Sequence, residues 1–198
     1  MQKNYGQNFA KGKRYITNLP LFTAHEGGIT MLYLKEANFD DIEKEYEFIT
    51  NTPEDENGFT NSGSGCTYDE FKNDILPGYI NCSKGINLPE GWVPGTEYFL
   101  WDDDKIVGLF RIRHYLNDFL REGAGHIGYG IKKDCRGKGY ATKGLELTIA
   151  KAWEIIPEDE IYMSVHKGNP ASLKVQQNNG AYIHHEDDNE YYTRIKRI

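Results

Sequence analysis

The 198-residue chain predicts a mixed α/β fold, a sheet with helices packed on both faces. Three observations predict it. Apolar spacing gives the order strand, two helices, two strands, then strand–helix–strand, then a helix and two strands. Residues 127–153 read as a strand, a glycine-crowded turn and a long amphipathic helix. The length suits one domain with a proper core.

Residues 1–28 are polar and spotted with glycine, apart from Leu19-Pro20-Leu21-Phe22. They read as an N-terminal arm, packed on the body or partly disordered, with a homodimer contact as the sharper alternative. The domain itself then covers residues 29–198. Residues 31–35 make the first strand. Asn38 or Asp40 can cap a helix on which Ile42, Tyr46 and Ile49 share a face. Residues 51–65 are turn chemistry throughout and are expected to be a mobile loop. Thr67-Tyr68-Asp69-Glu70 is a capping box, Phe71 and Ile75 continue an apolar stripe, and Pro77 is the expected stop. Residues 81–95 form a long loop holding Pro89, Pro94 and Trp92, a length at which loops often serve as lids. Trp92 fits either a substrate-side role or plain packing.

Residues 97–101 and 105–113 alternate as a hairpin around Asp102-Asp103-Asp104. After the central strand, Leu145, Ile149, Ala152 and Trp153 form the buried stripe of a helix that ends at Pro157. Residues 160–165 are a strand. Asn169 caps the following helix, Pro170 takes its first position and Gly180 terminates it. Residues 181–186 and 191–197 close the chain as a hairpin around Asp187-Asp188-Asn189.

The bulk numbers exclude several classes. A net charge of −7 argues against a nucleic-acid partner, because neutralising phosphates needs a basic surface. It leans toward cationic ligands such as amines. No apolar run approaches the ~18 residues of a membrane span, and no secretory core is visible. Cys66, Cys82 and Cys135 are odd in number and widely spaced, which fits a reducing cytoplasm rather than a disulfide framework.

The chemistry concentrates in residues 131–142, Ile-Lys-Lys-Asp-Cys-Arg-Gly-Lys-Gly-Tyr-Ala-Thr. A helix start leaves four N–H groups without partners at the positive end of the peptide dipoles. Gly137 and Gly139 let a ligand approach the backbone, and Arg136 and Lys138 add charge. Such a turn is a cradle for a diphosphate. Other patterns fail on context. Gly123-Ala124-Gly125-His126-Ile127-Gly128 matches G-x-G-x-x-G by letter but enters a strand instead of opening a helix. Asp102–Asp104 reads as a solvated turn rather than a metal site, and His184 and His185 should point to opposite sides of a strand.

Arg136-Gly137-Lys138-Gly139-Tyr140-Ala141 resembles the Arg/Gln-x-x-Gly-x-Gly/Ala signature of the GNAT superfamily of acyl-CoA-dependent N-acetyltransferases. Asn169-Pro170-Ala171-Ser172, with Gly180 beyond, is similar to the same family's later strand-to-helix region. The resemblance runs from about residue 31 to the C-terminus. Asn87-Leu88-Pro89-Glu90-Gly91-Trp92-Val93-Pro94 and Arg111-Ile112-Arg113-His114-Tyr115-Leu116-Asn117 resemble a bacterial group of predicted acetyltransferases. The resemblance implies a central, mostly antiparallel, splayed sheet. It also implies acetyl-CoA as cosubstrate without a metal, and transfer to a primary amine of a small molecule or peptide. Direct attack in a ternary complex is expected because no cysteine except Cys135 sits in the motif as an acyl carrier. The helices within residues 40–75 and the loop 81–95 would form the acceptor wall.

On that resemblance the strand Gly130-Ile131-Lys132-Lys133 splays from residues 161–165, and the pantetheine pairs with its edge. The N–H near Ile131 faces the thioester oxygen. The diphosphate lies on the amides of Gly137, Lys138, Gly139, Tyr140, Ala141 and Thr142, beside Arg136. Asn169 and Ser172 touch the pantetheine or the adenine end. The family's helix tyrosine falls on Gln176, which cannot titrate. For the base, Glu122 and His126 are the nearest titratable groups, with Tyr129 on the strand and His114 ending the one before. A lone histidine beside a core strand is more often a structural hydrogen-bonder, so no single base stands out. Cys135 reads as structural. Two rivals stay open: a non-catalytic CoA-binding module, and an N-acyltransferase that takes another acyl-CoA.

Overall fold

The computed structural model describes residues 21–25 and 28–197. β1 (Leu21–His25) pairs antiparallel with β2 (Gly28–Glu36), so part of the segment expected as an arm extends a sheet. Residues 1–20 lie outside the described residues, and with them most of the arm and its homodimer contact. Asn38 caps the turn that leads into α1 (Ile42–Thr50); its side chain accepts from the amides of Asp40 (2.9 Å) and Asp41 (3.1 Å).

Residues 51–65 are not the featureless loop that their composition suggests. Asn57 and Gly58 both have positive φ (54° and 85°), the geometry of a two-residue hairpin turn. They join β3 (Asp55–Glu56) to β4 (Phe59–Thr60). Asn61 is buried and ties the base of the hairpin to α1, donating to the carbonyls of Ile49 and Thr52 at 2.8 Å each.

The capping box at Thr67 and Glu70 opens α2 (Tyr68–Glu70). Pro77 does not stop this helix. A π-helical turn over Phe71–Ile75 leads into α3 (Leu76–Ser83), whose first turn holds the proline, where a missing N–H costs nothing. β5 (Gly95–Asp102) and β6 (Lys105–Arg113) form the central hairpin. A short α4 (Asp118–Arg121), capped by Asn117, precedes β7 (Ile127–Ile131). α5 (Tyr140–Ile155), β8 (Glu160–His166), α6 (Pro170–Asn178), β9 (Tyr182–Glu186) and β10 (Glu190–Lys196) complete the chain.

The strands form an antiparallel sheet in the order β1-β2-β5-β6-β7 and a second one in the order β8-β10-β9. Alternation splits the first sheet's core in two. Tyr98, Leu100, Phe110 and Ile112 pack under Leu145 and Ala152 of α5, while Phe99, Trp101 and Leu109 pack with Phe48, Phe71 and Leu76 from α1 to α3. Gly144 lets α5 lie close, because a Cβ there would sit 2.3 Å from the Phe110 ring. Opposite the register shift in β10, His184 is the extra residue of a bulge. The Nδ1 atoms of His184 and His185 therefore meet at 2.8 Å instead of pointing apart. Among the described residues no helix is long and apolar enough to cross a membrane.

Glu45 is fully buried in α1, and its carboxyl accepts from the Asn38 amide at 3.1 and 3.2 Å. Burial pushes its pKa from 4.5 up to about 8, against the pull of that hydrogen bond. The folded state therefore holds a proton that the unfolded state has lost, and stability falls as pH rises through the window from about 4.5 to 8. Glu45→Gln should flatten the dependence of Tm on pH in that window and leave the variant at least as stable as wild type near pH 8. Thermal unfolding at several pH values checks this; an unchanged slope would show the proton lies elsewhere.

Candidate functional site

β7 is the edge on which the site is built. On one side it is laddered to β6, with Arg113 N donating to His126 O at 2.8 Å and Lys132 N to Val107 O at 2.9 Å. These contacts fix the parity of the strand. Gly128 and Gly130 turn their backbone groups to β6, and Ile127, Tyr129 and Ile131 turn theirs the other way. On that other side β7 meets β8 only at its entrance. Gly125 bridges Met163, His126 N donates to Tyr162 O at 2.7 Å, and Tyr162 N donates to His126 Nδ1 at 2.9 Å. Beyond this point β8 belongs to the other sheet, and the strands part as a fork.

At the open end of the fork lies the glycine turn. Gly137 (φ 76°) and Gly139 (φ 84°) take left-handed conformations, and a Cβ on either would meet nothing within 4 Å. Gly139 is the N-cap of α5, and the helix's first backbone bond is from Lys143 to Gly139 O (3.1 Å). Helix geometry aims the amides of Ala141 and Thr142 out of the N-terminus toward the same open space. Room and donors fit a diphosphate. Lys132, Lys133 and Lys138 are exposed around the turn, and Lys138 Nζ reaches Asp134 O at 3.0 Å.

Arg136 is not a free fork waiting for an anion. Its Nε donates to Ile131 O (3.0 Å), and its Nη2 is ion-paired with Glu56 of the β3–β4 hairpin. The same hairpin lays Phe59 over the bare face of β7, where Cβ positions at Gly128 and Gly130 would lie 3.6 and 3.1 Å from its ring. Arg111 sits beneath Phe59, its guanidinium 5.6 Å from the ring centroid. None of these partners was singled out in the sequence. The Asn57-Gly58 pair was the signal for the hairpin, but nothing local links it to residues 70 to 80 positions away.

Tyr129 leaves β7 on the α5–α6 face, stacked on Phe110 at 5.4 Å, and its hydroxyl is 2.8 Å from Ser172 Oγ on α6. Burial pushes its pKa up to about 12, while hydrogen bonds from Ser172 and Gln176 hold it down. Asn169 caps α6, accepting from Ser172 N at 3.1 Å. Gln176 is buried and committed: Oε1 accepts from Thr193 Oγ1 (2.6 Å), and Nε2 donates to Ser164 O (3.4 Å).

The other titratable candidates are not gathered with Tyr129. His126 is 0 % exposed. Its Nδ1 accepts the Tyr162 amide, and its Nε2 lies 3.2 Å from Glu158 Oε2 without hydrogen-bond alignment. Burial lowers its pKa against the pull of Glu158, so the ring is a neutral structural element at the closed end of the fork. Glu122 is exposed at the end of α4. His114 pairs with Thr96 Oγ1 at 2.8 Å, and Cys135 is partly buried, bonded through its backbone to Lys132 O. A shallow cleft beside the closed end, lined by Arg121, Glu158, Asp159, Tyr162 and Lys196, contains none of the expected residues. Among the described residues no three His, Cys, Asp or Glu side chains are grouped to hold a metal.

Solved structures with this architecture are numerous. The GNAT domain of S. lividans PAT superposes with a TM-score of 0.61 at 13 % identity, covering 93 % of this chain and 100 % of that one. Campylobacter jejuni N-acetyltransferase PseH in complex with acetyl coenzyme A gives 0.54 at 18 %, covering 84 % and 99 %. Vibrio cholerae spermidine N-acetyltransferase in complex with CoA and spermine gives 0.54 at 14 %, covering 83 % and 95 %. At these identities the likeness establishes the fold. No functionally curated protein matches the chain in sequence. The family model described as an acetyltransferase (GNAT) domain matches residues 34–182, three quarters of the chain and the whole of the fork with its glycine turn, and the protein therefore belongs to the GNAT acetyltransferase family.

Proposed function

We propose that this protein transfers an acetyl group from acetyl-CoA to a primary amine by direct attack in a ternary complex. The observation that carries the reading is the edge of β7, unpaired among the described residues, running up to an open, glycine-lined helix start. Acetyl-CoA supplies the activated acyl group, and the chain supplies its grip. Amides from Gly137 to Thr142 take the diphosphate, and Arg136 joins them by exchanging Glu56 for a phosphate oxygen. Tyr129 and Ile131 offer N–H groups to the pantetheine arm and the thioester oxygen. Asn169 and Ser172 line the opposite wall.

Tyr129 stays protonated across the physiological range, so it serves as a donor to the departing sulfur rather than as a base. It thereby offers a hydroxyl beside α6, the helix on which Gln176 has none. His126 holds the closed end of the fork, and the amine loses its proton to solvent or to a group brought by the acceptor.

The committed amide of Gln176 favours a second reading, a CoA-binding module without turnover; a third keeps turnover but changes the acyl group. Thiol release from acetyl-CoA, followed with polyamines, aminoglycosides, amino acids and peptides, tests all three. Release above the acceptor-free rate with one class is expected. Tight CoA binding with no release on any acceptor or acyl donor would leave only the module.

A further inference from the structure

The face of β5, β6 and β7 that turns toward α1 and α3 carries charge that a hydrophobic core has no use for. Glu97 and Arg111 form an ion pair there, with side chains only 8 % and 23 % exposed. Glu97 Oε1 takes the arginine, but Glu97 Oε2 is buried and has no hydrogen-bond partner among the described residues. An orphaned carboxylate oxygen in such a place is costly and marks a position for an absent donor. Next along the strand is Arg113, half-buried, its Nη1 donating to Gly125 O at 3.1 Å.

Among the described residues Arg113 has no carboxylate of its own. Burial and the neighbouring Arg111 charge lower its pKa to about 10, and the carboxylate that opposes them, Glu97, is already paired with Arg111. From α3, Tyr79 and Cys82 face the same cluster, both with raised pKa through burial and so neutral. The floor thus holds two cations against one anion, although the chain as a whole is at −7. An unbalanced guanidinium that keeps most of its donors is suited to a carboxylate or phosphate oxygen.

Its position relates it to the fork. Gly125, which Arg113 touches, is where β7 and β8 still meet, and the free edge begins two residues later. On this face β7 is bare at Gly128 and Gly130 under Phe59, and Arg111, two residues before Arg113 on the same face of β6, lies against the same ring. We propose that Arg113 binds an anionic group on the acceptor, while Glu97 Oε2 takes an N–H or O–H of the same molecule, so that the acceptor is an acid-bearing amine rather than a polyamine. This rests on the acyl-transfer reading of the fork. Arg113's contact at Gly125 lies four and six residues along β7 from Tyr129 and Ile131, whose N–H groups face the coenzyme, so amine and anion stand roughly 13 to 20 Å apart. That span suits a peptide of about four to six residues and is too long for a free α-amino acid or an amino sugar phosphate.

Matched acceptors test this without a variant. Calorimetry in the presence of CoA would compare a pentapeptide having a free C-terminal carboxylate with its C-terminal amide, the same amide ending in phosphoserine with its serine counterpart, and spermidine alone. One acid is expected to bind about 10-fold more tightly than its neutral twin, the scale of one charge-assisted contact; which pair responds tells carboxylate from phosphate. Arg113→Gln should abolish that ratio and Arg113→Lys should keep part of it, both with unchanged CoA affinity. Equal binding within both pairs, a preference for spermidine, or a ratio that survives Arg113→Gln would overturn the proposal. Because binding is read with CoA in place, a failure of turnover would count against the acyl-transfer reading and leave this result to stand or fall separately.

Discussion

Gly125→Ala is expected to destabilise the protein by about 3 kcal/mol or more, among the largest effects of any single methyl group in the chain. Gly125 has φ +66°, which costs an alanine about 1–2 kcal/mol by itself. The added Cβ would also lie 2.2 Å from Tyr162 O, 2.4 Å from Tyr162 C and 2.8 Å from Met163 N. All three are backbone atoms of β8 and cannot rotate away. Relief requires the strands to separate at the one place where they are joined, losing the bond from His126 N to Tyr162 O and exposing the buried imidazole. Urea unfolding measures the loss. Gly128→Ala is the matching control, since its Cβ would stand at ordinary contact, 3.6 Å from the Phe59 ring, and should cost about 1 kcal/mol or less. If Gly125→Ala proved as mild as the control, the closed end of the fork would not be as tight as described.

The second large effect concerns the anion seat. Arg136→Ala combined with Gly139→Glu is expected to weaken CoA binding by about 100-fold or more, equivalent to roughly 2.7 kcal/mol. Gly139 caps α5 with positive φ and open space in front of it, so a glutamate there puts a carboxylate where a diphosphate would lie. Folding should suffer by only about 1–2 kcal/mol, the cost of a left-handed non-glycine residue. Arg136→Ala alone should do less, because that guanidinium is already shared between Glu56 and the Ile131 carbonyl. Unchanged CoA affinity in a folded double variant would place the seat elsewhere.

What could be read from the sequence was local. The strand–turn–helix around Arg136, the capping box at Thr67 and the Asn169 cap each depend on residues within a few positions, and each appears as its spacing suggests. Pro77 misled because its effect depends on the turn before it. A π-helical turn lets a new helix start at Leu76, and the proline falls in a first turn. The hairpin at Asn57-Gly58 was hidden by strands of two residues each, too short for alternation to register. The site's least legible parts are contacts across the chain. Glu56 meets Arg136 over 80 positions, Phe59 covers Gly130, and the Tyr129 hydroxyl finds Ser172. His126 was legible as a titratable group near the fork, but its burial against Tyr162 and Glu158 follows only from how β8 returns.

The central claim is that the glycine turn and the free edge of β7 hold one coenzyme together. Residue-resolved amide hydrogen exchange, with and without CoA, tests it most directly. Slower exchange is expected at Gly137, Gly139, Ala141 and Thr142 and at Tyr129 and Ile131, with Gly128 and Gly130 unaltered because β6 already occupies their amides. Binding that protected the cleft around Arg121 and Lys196, and left both the turn and the β7 edge exchanging as before, would contradict it.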